Sequence, residues 1–137
     1  QLLDVHSLTK GKGYQGPVKR FGVKIRQHKS EKTKRGPGNL GAWTPKRVAA
    51  GQIAHAGKMG YHQRTEYNKL LIKIAKAEEV NQNGGIKHYG LVKNDALLIK
   101  GSIAGSAKRP IVLTFPERVK KKPQVYEVVK ISTENKQ

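Results

Sequence analysis

Cysteine is absent from this 137-residue chain, and acidic and aromatic residues are scarce. Without cysteine the chain can form neither a disulfide nor a zinc site with thiolate ligands. Phe, Trp and Tyr together make up 6% of the sequence, and nine Asp and Glu are set against 28 Lys and Arg. No apolar run approaches the roughly 18 residues of a membrane-spanning helix, and no signal-like segment opens the chain. We therefore expect a soluble, cytoplasmic protein with one modest core and no membrane partner.

The charge that results is +19, and it is unevenly distributed. A small domain typically carries a net charge of magnitude about 2–8. Residues 10–64 contain 14 Lys and Arg with one acidic residue, Glu31, whereas residues 65–137 contain 14 Lys and Arg with seven acidic residues. Like charges at this density repel each other unless a polyanion neutralises them. The charge therefore predicts a nucleic-acid partner, bound mainly by residues 10–64.

A long basic segment without helical or strand periodicity occupies residues 24–59. It is punctuated by Gly and Pro, and Ile25 is the single large aliphatic residue between positions 24 and 39. Such a segment buries too little apolar surface to order itself, so it is either a solvated disordered stretch or a functional loop that orders on its partner. Trp43, flanked by small residues, would either stack on a base of irregular RNA or anchor the loop locally.

Short apolar runs separated by turn residues predict strands in the rest of the chain. The runs are residues 2–9, 70–74, 86–92, 96–103, 110–115 and 125–131, with a helical turn as the alternative for 70–74. Their spacing is typical of a barrel or sandwich rather than of βαβ units. Residues 75–84 are expected to be irregular, and the basic run at 120–123 is expected to form an exposed turn.

Two motifs suggest an enzyme, and both lack the residues that such an enzyme needs. The sequence GKGYQG at residues 11–16 matches the G-x-G-x-x-G pattern of nucleotide-binding loops. Pro17 and Gly22 leave little room for the following helix, and no kinase catalytic segments are present. His62 could be a base oriented by Glu66, but no nucleophile accompanies them, and the five histidines lack metal-helix spacing. A nucleotide-binding enzyme is the disfavoured alternative, and no cofactor or metal is expected.

Three long stretches of the sequence, taken together, indicate a family resemblance. They are TKGKGYQGPVKRFG at residues 9–22, KRGPGNLGAWTP at 34–45 and AGKMGYHQRTEYN at 56–68. Four shorter ones agree with them: GGIKHYG at 84–90, KND at 93–95, KGSIAG at 100–105 and ISTENKQ at 131–137. Together they closely resemble the universal large-subunit ribosomal protein three family in its archaeal form.

The resemblance implies a mainly β protein, a six-stranded translation-protein-type β-barrel with a long basic loop extension. Residues 1–23 and 65–137 would belong to the barrel, and residues 24–64 would form a loop that penetrates 23S-type rRNA toward the peptidyl transferase centre. The family is not enzymatic, and its partners are 23S-type rRNA and neighbouring proteins of the large subunit. Family members extend further at the N-terminus, so we expect the barrel to be incomplete in residues 1–137.

The charge distribution and the resemblance together assign sixteen residues to rRNA. They comprise the cations of the glycine segment, the tryptophan near the loop tip, and the cations and other polar residues of the two loop arms. They are Lys10, Lys12, Lys19, Arg20, Lys24, Arg26, Lys29, Lys34, Arg35, Trp43, Lys46, Arg47, Lys58, Tyr61, His62 and Arg64. Cations of this kind bind phosphates, and Tyr, Trp and His can stack on bases or bond to 2′-hydroxyls.

Overall fold

The computed structural model describes residues 1–30, 32–49, 51–119 and 125–132. Its elements follow one another in the order β1 (Leu2–Leu8), β2 (Tyr14–Gln15), α1 (Pro17–Phe21), β3 (Gly57–Lys58), β4 (Gln63–Ala75), α2 (Ala77–Val80), β5 (Ala96–Ile99) and β6 (Val112–Thr114). The chain divides into two units. We call Gln1–Lys10 with His62–Gln137 the sheet unit, and Gly11–Tyr61 the basic unit.

The sheet unit contains a four-stranded antiparallel sheet with the strand order β5-β4-β1-β6. Strand β1 pairs with β4 on one side and with β6 on the other. Within β1, Val5 and Ser7 are buried while His6 between them is partly exposed. This alternation is what a strand shows when one face of its sheet is covered.

A β-bulge interrupts the pairing of β1 with β4, and the buried carboxylate of Asp4 stabilises it. The register shifts beside Asp4, and Asn68 on β4 takes a left-handed conformation with φ of 57°. Oδ1 of Asp4 accepts the backbone N–H of Asn68 at 2.7 Å, and Oδ2 accepts that of Glu117 at 3.1 Å. Asn tolerates this conformation better than most residues, and its Nδ2 donates to the Arg118 carbonyl at 2.9 Å. Asp4 therefore links β1, β4 and the chain after β6.

The apolar core of the sheet unit is small. Among the described residues, Val5 and Ala75 are the buried hydrophobic side chains. Polar contacts across the strands supplement them, because His6 Nδ1 lies 2.9 Å from Thr65 Oγ1 and His6 Nε2 lies 3.1 Å from Thr114 Oγ1. These contacts join β4, β1 and β6 through directed hydrogen bonds.

The loop that follows β5 is held against the sheet. Oε1 of Glu66 accepts the N–H of Ala104 at 3.0 Å, and Oε2 of Glu66 lies 2.6 Å from Nζ of Lys69. Gly105 has φ of 109°, and a Cβ at this position would lie 2.7 Å from the carbonyl oxygen of Leu8 in β1. The loop can approach β1 this closely because residue 105 has no side chain.

The structure confirms a mainly β protein, and the residues that it describes contain no closed barrel. Strands β1, β5 and β6 lie within predicted runs, whereas β4 begins at Gln63, well before the run predicted at residues 70–74. The largest sheet of the described residues is open and four-stranded, with β5 and β6 at its edges.

Two predicted strands are wrong. Residues 86–92 contain a tight turn bridged by Ile86 and Gly90, because His88 and Gly90 take left-handed φ values of 63° and 101°. The described part of the C-terminal segment, residues 125–132, contains no strand. The irregular stretch predicted at 75–84 includes the one-turn helix α2, and the basic turn predicted at 120–123 lies outside the described residues.

We expect Asp4→Ala to lower the free energy of unfolding by about 2–4 kcal/mol, because the N–H groups of Asn68 and Glu117 lose their carboxylate acceptor. Asp95→Ala removes an exposed carboxylate and is the matched control, with an expected change below about 0.5 kcal/mol. Urea denaturation followed by circular dichroism measures both variants. Equal stability of the two would show that the bulge does not depend on Asp4.

Candidate nucleic-acid interface

A two-stranded ribbon of β2 and β3 closes the base of the basic unit. The strands are antiparallel, with Gln15 opposite Gly57. Beyond them, the N–H of Lys12 donates to the Met59 carbonyl at 2.8 Å, and the N–H of Met59 donates to the Gly13 carbonyl at 2.9 Å. The ribbon brings together two segments that are distant in sequence, so the chain between them forms a closed loop.

The short helix α1 lies between the ribbon and this loop. Pro17 occupies its first turn, where the missing N–H removes no intrahelical hydrogen bond, and Gly22 ends it with a left-handed φ of 71°. Lys19 and Arg20 occupy the last turn. Lys19 is exposed and Arg20 is partly buried. The chain then enters the segment that we call the basic loop, residues 22–56.

Arg20 makes contacts with the protein backbone at the far end of the basic loop. Its Nε donates to the carbonyl of Lys58 at 3.2 Å, and its Nη1 donates to the carbonyl of His55 at 2.9 Å. Its Cζ lies 4.9 Å from the centroid of the Phe21 ring. A Cβ on Gly57 would lie 2.9 Å from both Cζ and Nη1 of Arg20. The guanidinium group therefore occupies space that glycine leaves open.

The most cationic part of the basic loop is a folded turn. The N–H of Arg26 donates to the carbonyl of Lys34 at 3.1 Å, and Nζ of Lys34 donates to the carbonyl of His28 at 2.6 Å. Lys29 and Arg35 are exposed beside these contacts. Local hydrogen bonds thus satisfy part of the turn's backbone, and its exposed cations face solvent.

Trp43 lies in a second turn of the basic loop and is 90% exposed. The N–H of Lys46 donates to the Trp43 carbonyl at 3.1 Å and closes this turn. The indole borders an open concavity of about 480 Å³, whose lining includes Leu40, Lys46 and Arg47. A local anchor needs buried contact area, and this side chain has little. The exposed ring beside two cations suits stacking on a base whose phosphate lies nearby.

Three candidate residues, Lys10, His62 and Arg64, belong to the sheet unit, and all three are exposed. The backbone of His62 is held by Thr9, whose N–H donates to the His62 carbonyl at 3.0 Å and whose Oγ1 accepts the His62 N–H at 3.2 Å. Nη1 of Arg64 donates to the carbonyl of Gln63 at 2.8 Å. These residues thus lie where β1 ends and β4 begins.

Fifteen of the sixteen candidate residues are exposed, and Arg20 is the exception. Thirteen of the sixteen, Arg20 included, lie in the basic unit. Lys32, which the sequence prediction did not include, is also exposed there, with a left-handed φ of 58°. Its place within the lysine run was the signal that could have identified it. The assignment of these residues to rRNA stays a prediction.

The alternative sites considered from the sequence have other roles in the structure. In the glycine motif the Lys12 N–H bonds to the Met59 carbonyl, and the helix that follows has five residues, whereas a phosphate loop needs free N–H groups before a longer helix. Glu66 binds the Ala104 N–H and forms an ion pair on its own strand. Within the described ranges, no group of three His, Asp or Glu could hold a metal, and no helix could cross a membrane.

Comparison with known proteins places this basic chain among the ribosomal proteins. The family model described as Ribosomal protein L3 matches residues 1–136. The chain is 46% identical to large ribosomal subunit protein uL3 of Methanobrevibacter smithii, over 100% of this chain and 42% of the relative. It is 48% identical to the protein of the same name from Methanocorpusculum labreanum, again over 100% of this chain and 42% of the relative.

The chain belongs to the ribosomal protein L3 family. A third relative, uL3 of Methanocella arvoryzae, is 46% identical over 99% of this chain and 41% of its own length. The family resemblance seen in the sequence alone is therefore confirmed. The chain spans about 42% of the length of the first of these curated relatives.

We expect Trp43→Ala to change the free energy of unfolding by less than about 0.5 kcal/mol, because the indole is 90% exposed and buries little apolar surface. Val5→Ala, which removes methyl groups from a fully buried side chain, is the contrasting variant and should cost about 1–3 kcal/mol. Urea denaturation followed by circular dichroism compares them. A loss for Trp43→Ala as large as that for Val5→Ala would show that the indole anchors the loop.

Proposed function

We propose that this chain is a structural, non-catalytic constituent of the large ribosomal subunit that binds 23S-type rRNA and supports assembly of the subunit. The observation that carries the proposal is the exposure of fifteen of the sixteen candidate residues, twelve of which are Lys or Arg. Its partners are the rRNA and neighbouring large-subunit proteins, and its site of action is the cytoplasmic ribosome.

The binding free energy comes mainly from neutralising phosphates. The basic unit carries twelve Lys and Arg with Glu31 as its one acidic residue. The ion pairs Lys69–Glu66 and Lys73–Glu79, by contrast, lie in the sheet unit. Exposed cations with few acidic neighbours release condensed counterions when they meet RNA phosphates, and this gain depends strongly on salt. Recognition of the shape of the folded RNA sets the register of the complex.

The basic loop is the segment that would extend into the folded RNA. Its sequence is too poor in apolar residues to form a core, and its turns instead close on local backbone hydrogen bonds. Trp43, exposed in one of these turns, is the residue that we propose to lie nearest the peptidyl transferase centre. Residues 24–64 would form the rRNA-penetrating loop, and residues 1–23 with 65–137 would form the part that supports it.

We extend the proposal to the six-stranded barrel of the family resemblance. Both outer strands of the sheet, β5 and β6, have a free edge in the part of the chain that the structure describes. Next to β6, Phe115 is 77% exposed, and Val112 within it is 62% exposed. Free strand edges bordered by apolar side chains are surfaces on which further strands pair and pack. Two more strands would supply the number that the barrel requires.

We expect the affinity of the chain for a 23S rRNA transcript to fall by about 10³–10⁵ between 50 and 200 mM salt, as for a complex with roughly 6–10 phosphate contacts. A filter-binding titration at several salt concentrations measures this dependence. An affinity that does not change with salt would overturn the proposal, since neutralisation of phosphates could not then dominate binding.

A second expectation concerns individual cations of the basic loop. Lys24→Gln combined with Arg26→Gln should lower the slope of log affinity against log salt by roughly 1.4–1.8, because each phosphate contact contributes about 0.7–0.9. The matched control is Lys69→Gln combined with Lys73→Gln, which removes two cations already paired with Glu66 and Glu79. The control should leave the slope nearly unchanged. Equal slopes for the two double variants would show that Lys24 and Arg26 do not contact RNA phosphates.

A further inference from the structure

We propose that Arg20 is a positioning residue that clamps the base of the basic loop, and that it does not contact an RNA phosphate. This inference rests on the proposed rRNA-binding function, within which it gives one predicted contact a different role. Arg20 is the one candidate residue that is not exposed. The sequence pattern predicts that Arg20 binds RNA, whereas in the structure its guanidinium group donates hydrogen bonds to backbone carbonyls.

The contacts of Arg20 join the two ends of the basic loop. Arg20 lies in α1 before the loop, and its acceptors, the carbonyls of His55 and Lys58, lie 35 and 38 positions along the chain. A cationic donor to a carbonyl forms a stronger hydrogen bond than a neutral donor does. The ring of Phe21 covers the guanidinium group at 4.9 Å, which further limits where it can point.

The loop needs such a clamp because the rest of its closure is weak. The strands of the ribbon are two residues each, and an isolated two-stranded ribbon is at best marginally stable in water. Ordering a loop of this length also costs a substantial amount of conformational entropy. When the loop loses its preferred arrangement, the fraction of molecules ready to bind RNA falls, and the apparent affinity falls in the same proportion.

Gly57 provides a way to break the clamp without removing the charge. A Cβ at this position would lie 2.9 Å from Cζ and Nη1 of Arg20, while Gly57 itself has no left-handed φ that would exclude alanine. Gly57→Ala should therefore displace the flexible guanidinium group while Arg20 keeps its charge. Gly51→Ala is the matched glycine control, since nothing lies within 4 Å of its Cβ position and its φ is not left-handed.

The experiment compares Arg20→Ala, Gly57→Ala, Gly51→Ala and Lys19→Ala in the full 137-residue chain. Hydrogen exchange of the free protein reports on the amides of Lys12 and Met59, which close the ribbon. Binding to a 23S rRNA transcript, measured at several salt concentrations, gives the affinity and its salt slope. Lys19, an exposed neighbour on the same helix, serves as the phosphate-contact reference.

If Arg20 is a clamp, Arg20→Ala and Gly57→Ala should each speed exchange of these amides by about tenfold and weaken RNA binding by about three- to tenfold. Both should keep the wild-type salt slope, because the bound state retains its phosphate contacts. Lys19→Ala should lower the slope by about 0.7–0.9, and Gly51→Ala should change nothing.

A contact between Arg20 and phosphate gives the opposite pattern and would overturn the inference. Arg20→Ala would then lower the salt slope as Lys19→Ala does, and Gly57→Ala, which frees the guanidinium group, would bind RNA at least as tightly as the wild type. Unchanged amide exchange in Arg20→Ala would also overturn it. If the wild-type chain failed to bind the transcript, the proposed function would fail, whereas the exchange measurement would still test the clamp.

Discussion

The arrangement of the sheet unit depends on the buried carboxylate of Asp4. Its two oxygens accept backbone N–H groups from Asn68 and Glu117, residues more than 60 positions away along the chain. A buried charge is costly unless such donors satisfy it, so once it is buried the strand pairing must bring both segments to it. In a unit whose described residues bury just two hydrophobic side chains, Val5 and Ala75, this interaction defines the register that apolar packing alone would leave loose.

The basic unit is organised by the same kind of contact, with the charge reversed. The guanidinium group of Arg20 binds backbone carbonyls where the carboxylate of Asp4 binds backbone N–H groups. Both side chains bind backbone groups of segments that are distant in sequence. A chain of charge +19 cannot bury its cations cheaply, so most of its described Lys and Arg side chains stay exposed, where a polyanion can reach them.

The sequence predicted the strands that a local apolar run marks. It missed the strand segment whose polar residues form hydrogen bonds with residues distant in sequence. The apolar runs at β1, β5 and β6 indicated strands correctly. The first half of β4 was missed because its polar residues, among them Thr65 and Asn68, have their partners on β1 and after β6. The predicted strand at residues 86–92 was wrong because left-handed residues reverse the chain there. The candidate cations were easy to select by charge, yet nothing local distinguished Arg20 from Lys19.

By itself the sequence determined the family, the mainly β class, the excess of positive charge and the segment that carries most of it. These properties depend on residue identity and on patterns a few positions long, which a sequence displays directly. The tertiary structure alone decided the strand order β5-β4-β1-β6, the bulge at Asp4 and the inward orientation of Arg20. Each of these depends on which backbone groups, distant in sequence, come into contact. Local composition does not specify these partners, so only three-dimensional packing decides them.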